Sequence, residues 1–212
     1  MSFTGDDFNR TNGAIGPNYT TDTTNPLVIV SGRVQITPQG SGAAAAHCIN
    51  TWRGGGNDGK FYTDAHEIRA QMTPSGYGLA TNNSFTLIIA GSDGTYQQGV
   101  NVAFGGYSHD GGGNPFTPCI IQTGNGATYT TRASTTAQVP MNAIVRFRRV
   151  GSLFSVFVNE VPFLSWNDTA GIIPSGPGQR RCRIGLSGNR PIFQQQYQSA
   201  SIDEFWAYDI AA

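Results

Sequence analysis

The chain has 212 residues with 13 basic and 13 acidic side chains, so its formal net charge is zero. This balance offers no electrostatic basis for binding nucleic acid or an anionic membrane. Charged residues make up only 12% of the chain and glycine occurs 28 times, a composition typical of short strands joined by tight turns. No apolar run reaches the ~20 residues needed to cross a bilayer, and the N-terminal residues lack the features of a secretion signal. We therefore expect a soluble protein with no membrane insertion.

Alternation of apolar and polar residues predicts strands along most of the first half of the chain. The one segment with helical character is short, residues 43–47. In the strand predicted at 65–72, Ile68, Ala70 and Met72 share one face, which we expect to point inward. The strands predicted in this half are residues 27–30, 33–36, 47–52, 65–72, 85–90 and 100–104.

The second half begins with two strands, at 119–123 and 127–131, around a Gly-Asn-Gly turn. Residues 143–166 predict three strands, because Val145 and Phe147 alternate with arginines and turn signals follow at 151–152 and 159–160. Two closing strands are predicted at 182–186 and 201–208. With no repeat or linker in view, residues 1–212 are predicted to form one all-β domain of two packed antiparallel sheets.

The last predicted strand is rich in aromatic residues and needs a neighbour, since an unpaired apolar edge invites aggregation. The segment around Phe8, at the other end of the chain, is the natural partner. We therefore expect the first and last strands to pair, with Phe8 and either Phe205 or Trp206 in the core.

The three cysteines, Cys48, Cys119 and Cys182, are far apart and form no Cys-x-x-Cys motif. This spacing disfavours a zinc or redox site. We expect three buried, reduced thiols and no required cofactor.

The N-terminal segment Asp7-Phe8-Asn9-Arg10, followed by Gly13, Gly16, Asn18 and Tyr19, resembles a known signature. It is similar to the start of concanavalin A-like lectin/glucanase (laminin-G-like) jelly-roll domains, especially those of bacteriophage virion proteins. Residues 146–159 and 202–205 resemble the central hairpin and last strand of that family. The resemblance implies a two-sheet antiparallel jelly-roll sandwich in a protein located on the virion and assembled in the host cytoplasm.

Two interpretations of the N-terminal segment remain open. In the first it is structural: Phe8 and Tyr19 face the core, the glycines supply backbone angles that other residues resist, and Arg10 pairs with Asp7 or a C-terminal acid. In the second it contributes to a structural calcium site, which related jelly rolls sometimes hold near their paired termini. The carboxylates would come from Asp7, Asp203 and Asp209, with carbonyl oxygens completing the coordination.

An enzymatic function is disfavoured by the spacing of the acids. Retaining glycosidases of this fold need two carboxylates on one face of a strand. The chain has three glutamates, Glu67, Glu160 and Glu204, and none has a second acid two or four residues later. Asp203 and Glu204 are adjacent, so regular strand geometry would point them to opposite faces. We predict that the protein is not an enzyme, and a glycan-active hydrolase or lyase is the least favoured alternative.

Two long loops, 52–62 and 104–116, combine aromatic residues with amides and carboxylates. Aromatic rings stack on sugar faces and polar groups bond sugar hydroxyls, so these loops are candidates for glycan recognition. The alternative is that the aromatic residues only anchor the loops. The candidate glycan-binding residues are Trp52, Asn57, Asp58, Tyr62, Tyr107, His109, Asp110 and Asn114.

Arg146, Arg148 and Arg183 lie on predicted strands and could form a surface for protein contacts. Together with the resemblance, they favour a non-enzymatic virion surface protein, either a capsid decoration protein or a minor tail protein. Its partners would be other virion proteins, in symmetric copies or as a homo-oligomer. The alternative function is a carbohydrate-binding adhesin that recognises host envelope glycan.

Overall fold

The computed structural model describes residues 3–21, 26–73, 84–94, 98–105, 118–124, 128–140, 142–190, 192 and 197–210. This part of the chain forms seventeen strands and one short 3-10 turn, Pro177–Gln179, and holds no helix long and apolar enough to span a membrane. The strands are β1 (Phe3–Asp6), β2 (Gly13–Ala14), β3 (Tyr19–Thr21), β4 (Leu27–Val30), β5 (Arg33–Ile36), β6 (Ala43–Trp52), β7 (His66–Thr73), β8 (Phe85–Gly91), β9 (Gly99–Phe104), β10 (Cys119–Gly124), β11 (Tyr129–Thr135), β12 (Ile144–Val150), β13 (Leu153–Val158), β14 (Val161–Asn167), β15 (Arg181–Arg190), β16 (Tyr197–Gln198) and β17 (Ser201–Asp209).

The strands form two antiparallel sheets. Sheet A has the order β14-β13-β12-β7-β17-β5-β4-β2, with β1 also paired to β17. Sheet B has the order β11-β10-β9-β8-β15-β6-β3, with β16 also paired to β15. Apolar side chains from both sheets form a continuous buried core, so the predicted all-β sandwich is confirmed.

In sheet A, the apolar side chains at alternate positions of β7 and β12 face the core, as the sequence predicts. Ile68, Ala70 and Met72 of β7 are fully buried, and so are Val145 and Phe147 of β12. In β12 the intervening arginines point to the outer face of the sheet, where Arg146 is paired in register with Arg69 of β7. The sequence pattern therefore predicts both the strands and their inward faces in this part of the fold.

Pairing of the first and last strands is also confirmed. Strand β1 lies antiparallel to β17, with Phe3 opposite Tyr208 and Asp6 opposite Phe205. Phe8 and Phe205 are fully buried. Strand β17 also pairs with β7 on its other side, so it lies in the middle of sheet A.

The segment with helical character, residues 43–47, is instead the start of strand β6. Its pairing with β15 sets this conformation, with Ser187 opposite His47 and Arg190 opposite Ala43. Alanine favours helices by only a few tenths of a kcal/mol per residue, which is small beside the hydrogen-bonded pairing with β15.

The three cysteines are buried and unbridged, as the sequence predicts. Burial raises the pKa of the Cys119 thiol to about 12, and burial likewise raises the pKa of Cys182 to about 12. Both thiols therefore stay protonated and unreactive in the folded protein.

Candidate ligand-binding site

The N-terminal segment is held by a local ion pair. Asp6 accepts the backbone N–H of Phe8 at 2.9 Å, and its two carboxylate oxygens bind the Arg10 guanidinium at 2.6 and 2.9 Å. Arg10 also donates to the carbonyl of Ile15. The predicted partner of Arg10 was Asp7 or a C-terminal acid. That prediction is wrong, because the chain reverses at Phe8 (φ 52°) and brings Asp6 back onto Arg10.

Phe8 and Tyr19 face the core as the structural interpretation requires, with their ring centroids 6.0 Å apart. Gly16 has φ 107°, an angle that favours glycine. These contacts support the structural interpretation of the segment. Asp7 and Asn9 lie on its surface with exposed side chains.

Asp7 and Asn9 line a surface cavity of about 310 Å³, which we call the terminal pocket. The pocket lies where three segments meet: the residues after β1, the turn between β4 and β5, and the beginning of β17. Its volume falls at the lower end of the range for small-molecule sites. Its lining residues are Asp7, Asn9, Ser31, Gly32, Arg33, Asp203 and Glu204.

A β-bulge in β17 shapes this pocket. Ile202 is opposite Met72 and Glu204 is opposite Gln71, so Asp203 is an extra residue with no counterpart in β7. A bulge re-aims side chains at the point where it interrupts the ladder. As a result Asp203 and Glu204 line the same cavity, and the expectation that they point to opposite faces is wrong.

The charges of the pocket are mixed. Arg33 Nε lies 3.7 Å from Asp203 Oδ1, and Arg69 Nη2 lies 3.1 Å from Glu204 Oε1 at the edge of the pocket. Asp7 Oδ1 accepts the backbone N–H of Asn9 at 3.1 Å. The Arg33 and Asp203 side chains keep 42% and 43% of their surface exposed, so their remaining donor and acceptor positions can reach a ligand.

An aromatic side chain lies beside the pocket on the same outer face of sheet A. Trp206 is two residues beyond Glu204 and is half-buried. Its ring lies across Gly5 of β1, where a Cβ atom would be 2.0 Å from Trp206 Cε3. Only glycine at this position leaves room for the indole ring.

The predicted calcium ligands are not brought together. Asp7 and Asp203 line the terminal pocket, whereas Asp209 lies at the other end of β17. The Asp209 carboxylate accepts hydrogen bonds from the backbone N–H groups of Tyr62 and Thr63, at 3.0 and 2.8 Å. No group of three metal-ligating side chains occurs in the part of the chain that the structure describes. The proposed three-aspartate set therefore does not fit a calcium ion.

Trp52, the first candidate in loop 52–62, is buried with 1% of its surface exposed. It ends strand β6 and packs edge-on against Tyr19 and Phe205, at ring-centroid distances of 4.9 and 5.8 Å. Trp52 is therefore a core residue, and its assignment as a glycan-stacking ring is wrong.

The other candidates in this loop have different surroundings. Asn57 Nδ2 donates to the Lys60 carbonyl at 3.2 Å, and the Asp58 carboxylate accepts from Arg53 and Arg181 at 2.7 and 2.8 Å. The hydrogen bond from Arg181 is the main cause of the lowered pKa of Asp58. These contacts hold the loop. Tyr62, in contrast, is 52% exposed and stays a candidate for ligand contact.

The four candidates in the second long loop are Tyr107, His109, Asp110 and Asn114. All four lie outside the described residues. Their assignment stays a prediction.

Two of the three arginines proposed for protein contact, Arg146 and Arg148, share one environment. Arg146 Nε and Arg148 Nε donate to the buried carboxylate of Glu67 at 2.7 and 2.5 Å, and Tyr208 also donates to it. Burial alone would raise the pKa of Glu67, but these hydrogen bonds outweigh it and lower the pKa. Arg146 and Arg148 both lie over the ring of Phe157 and remain partly exposed.

Arg183 does not share that outer surface. It is 2% exposed in sheet B and donates to Thr51 Oγ1 at 2.9 Å and to the Ser92 carbonyl at 2.8 Å. Its assignment as a protein-contact residue is wrong, because its guanidinium is enclosed by its own fold.

No protein-family model matches the chain, and no curated protein sequence matches it. Solved structures do match. The carbohydrate-binding module CBM66 from Bacillus subtilis superposes with a TM-score of 0.56 and 9% identity, over 89% of this chain and 96% of that module. The exoplasmic/lumenal domain of VIP36, in its Ca²⁺- and mannose-bound form, superposes with a TM-score of 0.60 and 12% identity, over 93% and 85%.

The chain has a concanavalin A-like sandwich fold. A Bacillus subtilis protein of unknown function with a galectin-like fold is similar as well, with a TM-score of 0.57, 12% identity and coverage of 94% and 97%. At these identities the likeness concerns the concanavalin A-like fold alone. The function must therefore be inferred from the geometry of this chain's own residues.

Proposed function

We propose that this protein is a non-catalytic carbohydrate-binding protein whose sugar site is the terminal pocket. The proposal rests on one observation: a lectin-like sandwich carries a surface cavity that combines carboxylates, an amide, a hydroxyl and a guanidinium beside an aromatic ring. Sugar sites use this combination, because the ring covers an apolar sugar face while polar groups bond the hydroxyls.

The neighbours in structure support the same function. CBM66 is named as a carbohydrate-binding module, and the VIP36 domain was solved with mannose. Both superpose on most of this chain. These names favour the glycan-binding alternative over a purely structural virion role.

The surroundings of the acids support the non-catalytic part of the proposal. Asp203 and Glu204 each face an arginine, Arg33 and Arg69 respectively. A glycosidase needs one carboxyl group that gives a proton to the leaving group. In this pocket each of these carboxylates instead takes part in a salt bridge, at 3.7 Å for Asp203 and 3.1 Å for Glu204.

Placement on a bacteriophage virion, in symmetric copies on the capsid or tail, remains our proposal and rests on the resemblance of residues 7–19, 146–159 and 202–205 to virion proteins. In that setting the protein would be an adhesin for host envelope glycan. Immunogold labelling of intact particles tests this placement, because an adhesin requires label at the tail tip or outer capsid surface. Particles that carry no label would contradict it.

The experiment for sugar binding is a glycan array followed by calorimetric titration of the best ligand. The variant Asn9→Ala removes an exposed amide from the pocket, and we expect a loss of roughly 2- to 10-fold in affinity, the range for one hydrogen bond. The matched control is Gln138→Ala, an exposed amide in the loop before β12. Absence of glycan binding by the wild-type protein would overturn the proposal, and so would an equal loss in both variants.

A further inference from the structure

We infer that the terminal pocket selects sugars without an acid group, with Trp206 as the platform on which the sugar ring stacks. This inference rests on the proposed function and specifies its ligand class. It is carried by the charges that line the cavity and by the position of the indole ring next to them.

The charge balance of the cavity disfavours anionic ligands. Its lining has three carboxylates, from Asp7, Asp203 and Glu204, against one guanidinium, from Arg33. The second guanidinium at the edge, from Arg69, is bound to Glu204. A ligand carboxylate in this cavity would face an excess of negative charge, and like charges in contact are strongly unfavourable.

The same groups suit a neutral polyol. Ionised carboxylates only accept hydrogen bonds, so they match the O–H donors of a sugar. Arg33 and Asn9 supply N–H donors for sugar oxygens. An amino sugar would be accepted as well, because its ammonium group would meet the carboxylates.

The position of Trp206 fits a stacked sugar ring. Trp206 and Glu204 are two residues apart on one face of β17, beyond the bulge, which corresponds to about 7 Å along a strand. The ring lies against Gly5, where a Cβ atom would clash with the indole. A sugar on the indole therefore has its hydroxyls within reach of the carboxylates in the pocket.

The test compares matched neutral and acidic glycans on one array, such as galactosides against galacturonides and glucosides against glucuronides. We expect the wild-type protein to bind neutral members at least roughly tenfold more tightly than their acidic counterparts. Asp203→Asn should reduce this ratio several-fold by removing one negative charge. Glu160→Gln, which removes an exposed acid from the distant turn between β13 and β14, should leave the ratio unchanged.

The platform is tested by Trp206→Ala and Trp206→Phe, with folding checked by thermal melting. Alanine should abolish most of the affinity, and phenylalanine should restore part of it, since a ring remains. If the protein binds glycans but prefers acidic ones, if Asp203→Asn leaves the neutral-to-acidic ratio unchanged, or if Trp206→Ala leaves neutral binding intact, this inference is overturned while sugar binding stands. If the wild-type protein binds no glycan, both fail together.

Discussion

His66 makes the stability of this fold sensitive to mild acid. The residue is fully buried, and its ring stacks on Phe61 with a centroid distance of 4.2 Å and an interplanar angle of 3°. Nδ1 lies 3.0 Å from the carbonyl of Thr63, and Nε2 has no hydrogen-bond partner among the described residues. Burial, reinforced by the nearby charge of Arg149, lowers the pKa of His66 from 6.5 to about 4.

The size of the effect follows from that pKa. Between pH 6.5 and 4 the unfolded chain binds a proton at His66 and the folded protein does not, so the free energy of unfolding falls as the pH falls. Each pKa unit is worth about 1.4 kcal/mol. The complete loss is about 3 kcal/mol, of which about 2 to 3 kcal/mol should appear between pH 7 and pH 4.5.

Urea denaturation at a series of pH values from 7.5 to 4.5 measures this loss. We expect His66→Gln to flatten the pH dependence of the free energy of unfolding by about 2 to 3 kcal/mol over this range, whatever its stability at pH 7. His47→Gln is the control variant, because burial lowers the pKa of His47 as well and its contribution must be separated.

Titration of the wild-type protein by NMR gives an independent measurement. The Cε1–H signal of His66 should move with a midpoint near pH 4. A midpoint near the ordinary value of 6.5, or an unchanged slope in His66→Gln, would refute the argument that the imidazole is enclosed as a neutral group.

Four further predictions concern stability. Deletion of residues 202–212 should unfold the protein, because it removes the middle of sheet A and a fully buried Phe205, worth ~3–5 kcal/mol by itself; a soluble truncation with a cooperative melt would disprove this. Thermal melting should be identical with and without reductant, and the three thiols should react with Ellman's reagent only after unfolding. Tyr62→Ala should change the urea-derived stability by less than about 0.5 kcal/mol, since its ring is half exposed; a larger loss would show that the ring holds its loop. Glu67→Gln should lower the free energy of unfolding by about 3 kcal/mol, because two arginines lose their buried partner; a neutral result would mean that solvent reaches this cluster.

Much of the fold could be predicted because a strand with one buried face has alternating apolar and polar residues in its sequence. In β12, Val145 and Phe147 alternate with arginines, and the structure buries both apolar side chains. The start of β6 could not be predicted in this way, because its alanines show no alternation and the strand exists through pairing with β15, which is distant in sequence.

The sequence predicts only part of the terminal pocket. The resemblance to jelly rolls that hold calcium near paired termini places Asp7 and Asp203 at one site, but as calcium ligands together with Asp209. Glu204 was missed because regular alternation was assumed across the bulge. The sequence does contain a signal: the apolar residues Ile202 and Phe205 are three positions apart, so both cannot face inward on a regular strand. In the structure both are fully buried.

The first long loop, residues 52–62, shows a different limit of prediction from the sequence. Trp52 and Tyr62 are both aromatic residues beside glycines, yet one is 1% exposed and the other 52% exposed. The difference depends on what each ring meets in space. Trp52 lies beneath Gly54, where a Cβ atom would be 2.1 Å from the indole, and no local pattern encodes that contact.

The central place of β17 in sheet A has a consequence for how the protein is made. Strands β1 and β7 emerge from the ribosome long before the segment that must lie between them. Until residue 209 is outside the exit tunnel, both strands keep open edges and the aromatic cluster around Trp52 lacks Phe205. The nascent chain therefore carries an incomplete sandwich until β17 has been made, a state that binds chaperones or other nascent chains readily. Slowing translation would prolong that state, so the yield of folded protein should depend on how quickly the last strand follows the rest.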